Sequence, residues 1–339
     1  MEKKGRLFEI DSLRGVAALG VLFFHFNLWQ SSPLKYGCLG VDLFFMISGF
    51  VILMSISKTA NLKDFGFARF NRLFPAYWLS LIIAVISFRI FSNFSLHQPL
   101  NFILGNFFMM QPLFKATNLV DAYWTLYIEL SFYAFISVVW LLKIIHRIEL
   151  IIWVALIAMI TVNSTYLLFP DNVFYTRLFI IFRSITPLIC FFNYFAAGMI
   201  FYEVCLKGLN ANRIALLIVC FLIVVLTHSI SGRALHFVGL LGHLLVDAAF
   251  YILFVLILNG KGRFLKHRAL LFFGTISYPM YLIHESIGWS FLLFLTKYTS
   301  KTVAIFSALL ITIILSAMIN YLFEKPIHRW LRSKYFKKQ

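Results

Sequence analysis

Apolar runs separated by short polar breaks set the pattern of the chain. Ten stretches are long enough to cross a bilayer as helices, at about 13–29, 38–57, 74–92, 124–142, 150–168, 187–203, 213–229, 236–258, 272–295 and 302–323. Runs of this length predict membrane-spanning helices. A shorter apolar piece, 100–114, is interrupted by Gly105, Gln111 and Pro112 and reads as an interfacial or re-entrant segment. The longest loops, 93–123 and 169–186, are rich in aromatics and are placed to cover a site. No repeat, low-complexity tract or Pro/Gly/Ser-rich linker divides the chain, so 1–339 reads as one all-α, polytopic membrane domain.

Composition sharpens this. The 339 residues are 61% hydrophobic and only 13% charged, with a mean hydropathy of +0.88, which excludes an ordinary soluble domain. A net charge of +17 on a soluble chain would suggest nucleic acid. Here Lys and Arg divide by side. Segments 1–12, 58–73, 143–149, 204–213, 259–271 and 324–339 hold 21 of them, and the alternate loops 30–37, 93–123, 169–186, 230–235 and 296–301 hold 7. That ratio places both termini in the cytoplasm, and no nucleic-acid partner is expected. The basic N-terminus resembles a signal peptide. It lacks a small-x-small cleavage site before Gln30 and contains Arg14 and His25, so it reads as a retained first span. Cys38, Cys190, Cys205 and Cys220 show no paired or metal-like spacing and read as small core residues.

Ionisable groups inside the spans carry the candidate chemistry, because such groups face the protein interior and mark function. Arg14 and His25 are eleven residues apart, which returns to within about 20° of one helix face, roughly 16 Å along the axis. With the topology above, His25, Asp42, Glu129, Asp247 and His284 fall within one or two helical turns of one depth, and a shared polar cavity is expected. His25, with an ordinary pKa of about 6.5, is the natural base, and Asp42 or Glu129 the carboxylate to orient it. Tyr123 reads as an interfacial aromatic anchor, whereas Glu129 needs a partner. Arg69 and Arg72, three apart at the cytoplasmic edge before Pro75, suit phosphate, and Pro75 suits the first turn of the third span. Ser48 and Gly49 read as small residues for close helix packing rather than as a nucleophile. No zinc ligand set, phosphate-binding glycine loop or Rossmann fingerprint appears, and no metal is expected.

At these residues the chain resembles the bacterial acyltransferase-3 family of integral membrane acyltransferases. The likeness rests on Arg14 to His25 within Asp11-Ser-Leu-Arg-Gly, on Gly40 to Phe50, and on Arg69, Arg72, Pro75, Tyr77 and Trp78. It continues through Trp124 to Glu129, Ser277 to His284, and Glu324, Pro326 and Arg329, in the family's order over the whole chain. The resemblance implies transfer of an acyl group, usually acetyl, from cytoplasmic acyl-CoA to a hydroxyl of a cell-surface glycan or lipid-linked precursor. It implies a multi-pass protein of the bacterial inner membrane. Without a fused esterase-like domain after the tenth span, it reads as a stand-alone transferase, and whether a periplasmic partner or a second copy takes part stays open.

In that light His25 is expected to deprotonate the acceptor, with Glu129 orienting and Arg14 contacting the donor or fixing the cavity. Arg69 and Arg72 are expected at the CoA phosphates, and Asp42, Trp124 and His284 around the acceptor. An acyl-enzyme relay is the variant of this scheme. The rival reading is a proton-coupled transporter using the same intramembrane His, Asp and Glu groups, against which stands the lack of a repeated half.

Overall fold

The computed structural model describes residues 8–26, 33–92, 94–230 and 237–336. Among them the chain is helical, with no strand. Chain order runs α1 (Phe8–His25), α2 (Gly40–Ile56), α3 (Leu62–Phe91), α4 (Leu100–Phe107), α5 (Trp124–Leu141), α6 (Ile148–Leu168) and α7 (Val173–Ile185). It continues with α8 (Phe192–Lys207), α9 (Ala211–His228), α10 (Leu240–Leu258), α11 (Arg268–Ile283), α12 (Ser290–Leu295), α13 (Lys301–Met318) and α14 (Lys325–Phe336). Wide π turns join α11 to α12 (His284–Trp289) and α13 to α14 (Ile319–Glu324).

Each of the ten expected spans coincides with a helix or a short series of helices. Seven helical stretches among the described residues are long and apolar enough to cross a membrane: Pro33–Ile56, Leu62–Phe91, Asp121–Leu141, Ile145–Leu168, Ala211–His228, Leu240–Leu258 and Lys301–Tyr335. The other three are marked by their chemistry. Glu9, Asp11 and Arg14 crowd the start of α1, α8 has only 16 residues, and the ninth stretch carries His284 and Glu285 within its apolar run. The expected end of the first span at 27–29, the basic run before residue 8, Arg233, Lys337 and Lys338 lie outside the described residues.

Three expectations are corrected. The segment 169–186 is not a plain loop but contains α7, capped by Asn172, whose side chain accepts from the amides of Phe174 and Tyr175. Its Tyr166-facing Phe179 is buried while Phe174, Ile181 and Ile185 are exposed, and at 13 residues the helix is too short to be seen as a span. Pro75 is not in a first turn. Asn61 caps α3 by accepting from the Lys63 amide at 2.9 Å, so the helix starts three turns before the proline. Proline releases the carbonyl four residues back. That carbonyl is Asn71's, and the same residue is tied to α14, its side-chain amide donating to the His328 carbonyl at 3.2 Å. At 30 residues α3 is about 45 Å long, which exceeds the hydrocarbon thickness by several turns.

The third correction is Tyr123. An interfacial anchor is half exposed, but Tyr123 is fully buried and shares a hydrogen bond with Ser80 at 2.9 Å.

Contacts gather into two compact units. The first comprises the described residues within 1–13, 38–59 and 125–266. Its centre is the pair α2 and α8. A Cβ added at Gly49 would fall on the carbonyl of Phe195, and one at Gly198 on the carbonyl of Met46, so both glycines are needed for backbones this close. Phe45, Phe195 and Phe132 stack beside the crossing, with centroids 4.7 and 4.3 Å apart. At its margin Glu149 accepts from Arg213 at 2.8 Å and from Asn212 at 2.5 Å, tying α6 to α9.

The second unit comprises the described residues within 14–37, 60–124 and 267–339. Here α1 from Arg14 onward packs on α11, with Gly15 against the backbone of Gly274 and Leu270. The expected re-entrant piece is α4 followed by turns in which Met109 and Lys115 adopt positive φ. Asn106 holds them together. Its amide donates to the carbonyls of Phe102 and Thr117, and its oxygen accepts from the Leu119 amide at 2.8 Å. Tyr77 donates to the Asn106 carbonyl at 2.5 Å and so ties α3 to these turns.

Candidate functional site

His25 closes α1, and the π turn at His284–Trp289 brings two consecutive polar residues opposite it. A π turn holds one residue more than an α turn and is frequent at functional sites. Its loosened backbone is tied down by Ser87, which donates to the Ser286 carbonyl. Gly288 makes room for Phe26 and Thr312.

The Nδ1 of His25 lies 3.1 Å from Oε1 of Glu285. The other oxygen, Oε2, accepts from the Ala122 amide at 2.8 Å, and Tyr281 donates to the Ala122 carbonyl at 3.1 Å. Glu285 is therefore fixed by backbone before it meets the imidazole. With Nδ1 hydrogen-bonded to a carboxylate, the Nε2 of neutral His25 carries the lone pair, the arrangement of a histidine general base. The imidazole of His284 stands 4.8 Å from that of His25, centroid to centroid. His284 directs Nδ1 to the Tyr281 carbonyl at 2.7 Å, so Nδ1 is the donor. Its Nε2 is buried and has no hydrogen-bond partner, which is costly unless something else meets it. The side chain of His25 is 29% exposed, so the more basic arrangement is also the more accessible one.

The five groups expected at one depth thus sort into separate partnerships. His25 and His284 meet. Asp42 instead faces His243 at 3.3 Å, and Asp247 faces the same imidazole at 3.5 Å, all within the first unit. Glu129, also in the first unit, accepts from Ser48 at 3.1 Å and from Tyr133. The carboxylate that pairs with His25 is instead Glu285. Ser48 accordingly does more than pack, while Gly49 does what was expected. Arg14 is half-buried on α1, and Trp124 half-buried at the start of α5. Arg69 and Arg72 lie on the early turns of α3. The Arg69 guanidinium is 5.5 Å from the Phe65 ring, and Arg72 is within electrostatic reach of Glu324 and His328.

Two residues were missed. Glu285 directly follows His284, and an acid beside a histidine inside an apolar run is itself a signal. His243 stands four before Asp247, on the same helix face. Two triads have ligand atoms within 4.8 Å of one another, as a metal would need: His25, His284 and Glu285, and Asp42, His243 and Asp247. In the first, both oxygens of Glu285 are engaged by His25 and Ala122 and Nδ1 of His284 by a carbonyl, which favours proton transfer over ligation.

A family model described as an acyltransferase domain matches residues 7–321. The peptidoglycan O-acetyltransferase OatA of Listeria monocytogenes is 36% identical over 84 residues, 23% of this chain and 13% of that protein. The ORF330 protein of Acidianus two-tailed virus, named for acetyl transfer, is 29% identical over 144 residues, covering 42% and 41%. The YrhL protein of Bacillus subtilis, named for peptidoglycan O-acetyl transfer, is 30% identical over 143 residues, covering 37% and 22%. The matched part of the chain spans less than half the length of each of these relatives. No solved structure matches it.

Proposed function

The chain belongs to the acyltransferase-3 family, and from that premise we propose that it is a membrane O-acetyltransferase moving acetyl from cytoplasmic acyl-CoA to a hydroxyl of a cell-surface glycan or its lipid-linked precursor. The observation that carries the reading is the His25–Glu285 pair with His284 beside it, inside a chain matched by the family almost end to end. The relatives named for peptidoglycan O-acetyl transfer support a glycan as the acceptor class.

In this reading the protein has ten spans with both termini in the cytoplasm of the bacterial inner membrane. Acyl-CoA supplies the thioester. His25 Nε2 takes the proton of the acceptor hydroxyl as its oxygen forms the bond to the acyl carbon. The C–S bond breaks, and the proton held by His25 goes to the departing thiolate sulfur, which leaves the imidazole neutral for the next turnover. Glu285 fixes the tautomer and stabilises the transient imidazolium. His284, through its unpartnered Nε2, accepts from a second acceptor group, and Trp124 contributes an apolar wall. Arg14 lies along the donor, and Glu129 steadies the helix that starts at Trp124. Arg69 and Arg72 hold the CoA phosphates as forked donors.

The test is acetyl transfer by the purified protein from labelled acetyl-CoA to surface-glycan fractions, with mass spectrometry of the glycans from cells with and without the gene. Loss of acetyl from one glycan class on deletion is expected. Solute transport with no dependence on acyl-CoA would overturn the reading. Replacing both Arg69 and Arg72 by alanine is expected to raise the KM for acetyl-CoA at least about tenfold, equal to about 1.4 kcal/mol, with kcat little changed. An unchanged KM would return these arginines to topology alone. Glu285→Gln is expected to lower kcat about 100-fold or more, since loss of the orienting carboxylate in a Ser-His-Asp triad lowers kcat by about 10⁴. A fall confined to KM would deny Glu285 its positioning role.

A further inference from the structure

Within the first unit, three helices converge on one fully enclosed polar cluster. Asp42 comes from the first turn of α2, Tyr194 from the first turn of α8, and His243 and Asp247 from adjacent turns of α10. His243, four before Asp247, lies on the same face, so α10 alone presents an imidazole and a carboxylate side by side. All four side chains are at least nine-tenths buried, and Asp247 is 0% exposed.

The charges do not balance. Asp42 and Asp247 are two carboxylates whose one described ion-pair partner is His243. With both carboxylates ionised, even a protonated imidazole leaves one negative charge in this buried site, and a buried charge needs full compensation. In addition, the Oδ1 of Asp247 is buried and has no hydrogen-bond partner.

The geometry matches another solution. From Nε2 of His243 the distances are 3.3 Å to Oδ2 of Asp42, 3.5 Å to Oδ2 of Asp247 and 3.0 Å to Oη of Tyr194. Oη of Tyr194 lies 3.2 Å from Oδ2 of Asp247. Ligands bound at about 2.0–2.2 Å around a tetrahedral zinc stand about 3.3–3.6 Å from one another, which is the spacing of the imidazole from each carboxylate, while the Tyr194 oxygen sits slightly inside it. The remote nitrogen of His243 completes the pattern. Its Nδ1 lies 2.9 Å from Nδ1 of His228, the outer partner that a metal-bound imidazole takes through its second N–H.

We propose that Asp42, His243 and Asp247, with Tyr194 as the fourth group, form a structural Zn²⁺ site that pins α2, α8 and α10 together. Two carboxylates and a neutral imidazole carry two negative charges, which one divalent ion cancels. The mixed nitrogen and oxygen set favours zinc over magnesium or calcium, which take oxygen shells of six or more. Four closed positions with no open one make the ion structural rather than catalytic. Asp42 is then a ligand and not an acceptor contact. The site is independent of acyl transfer, because its readout is metal content.

The experiment uses the full-length chain without a metal-affinity tag, purified in detergent and never exposed to chelator. About one zinc per chain is expected by elemental mass spectrometry, and less than about a tenth of that in Asp247→Asn and His243→Gln. If those variants do not fold, the wild type decides. Stripping with a zinc chelator is expected to lower its thermal unfolding midpoint, and added Zn²⁺, not Mg²⁺, to restore it. Folded wild type without zinc, indifferent to chelator and to added Zn²⁺, would overturn the proposal. So would stoichiometric zinc that folded Asp247→Asn retains.

Discussion

Replacing His25 with alanine is expected to lower acetyl transfer by about 100- to 10,000-fold, the range of general acid–base catalysis, with the protein still folded. The expectation follows from where the side chain sits. It is at the last turn of α1, 29% exposed, so its removal opens no large cavity in the packed core of its unit. What is lost is the one imidazole whose Nδ1 is held by a carboxylate that is itself held by backbone. At about 1.36 kcal/mol per tenfold, the deficit is about 2.7–5.4 kcal/mol in the barrier. His284 is not expected to substitute, because its Nδ1 proton is committed to the Tyr281 carbonyl and the Glu285 oxygens are engaged by His25 and the Ala122 amide. His284→Ala should weaken acceptor binding more than turnover. Transfer assays over a range of acceptor concentrations, with gel filtration to verify folding, separate these outcomes. Wild-type rates in His25→Ala would refute the assignment of the base.

The second large effect belongs to stability. Gly198→Ala, and equally Gly49→Ala, is expected to destabilise the first unit by more than the about 1–3 kcal/mol of ordinary overpacking. In most cores an added methyl meets the flexible end of another side chain. Here it meets the carbonyl oxygen of Met46 or of Phe195, and backbone in mid-helix cannot step aside without parting α2 from α8. Parting them would also undo the stack of Phe45, Phe195 and Phe132. The measurement is thermal unfolding in detergent, with Gly66→Ala as the reference, since a methyl there meets nothing within 4 Å. A midpoint for Gly198→Ala equal to that of Gly66→Ala would show that the α2–α8 contact is looser than described.

Hydrophobic patterning made the helices legible, because a bilayer-spanning run admits few other conformations. It failed where an element is short, as in α7, and where a helix outruns its apolar part, as in the first three turns of α3. Pro75 misled for a physical reason. A proline inside a helix is tolerated when surrounding structure holds the turn before it, and here the residue four back, Asn71, is held by His328, which is distant in the chain. Depth along each span placed His25 and His284 at one level correctly, yet depth carries no lateral information. It could not tell that Asp42 and Asp247 belong with each other through His243, or that Glu129 belongs with Ser48 and Tyr133. Glu285 was hidden by a different limit. On an ideal α-helix residues 284 and 285 diverge by about 100°, so no shared face announces the pair, yet both meet His25 from the start of the π turn.

The pairing of His25 with Glu285 also has a consequence for the order of events during synthesis. His25 precedes Glu285 by 260 residues, so the pair cannot form until the ribosome has delivered everything between. Until then the first helix carries its arginine and imidazole without the carboxylate that fixes the imidazole, and the proposed catalytic pair is incomplete. The same delay makes the first helix the element most dependent on timely completion, so premature stops or slow codons before residue 285 should leave it exposed to membrane quality-control proteases.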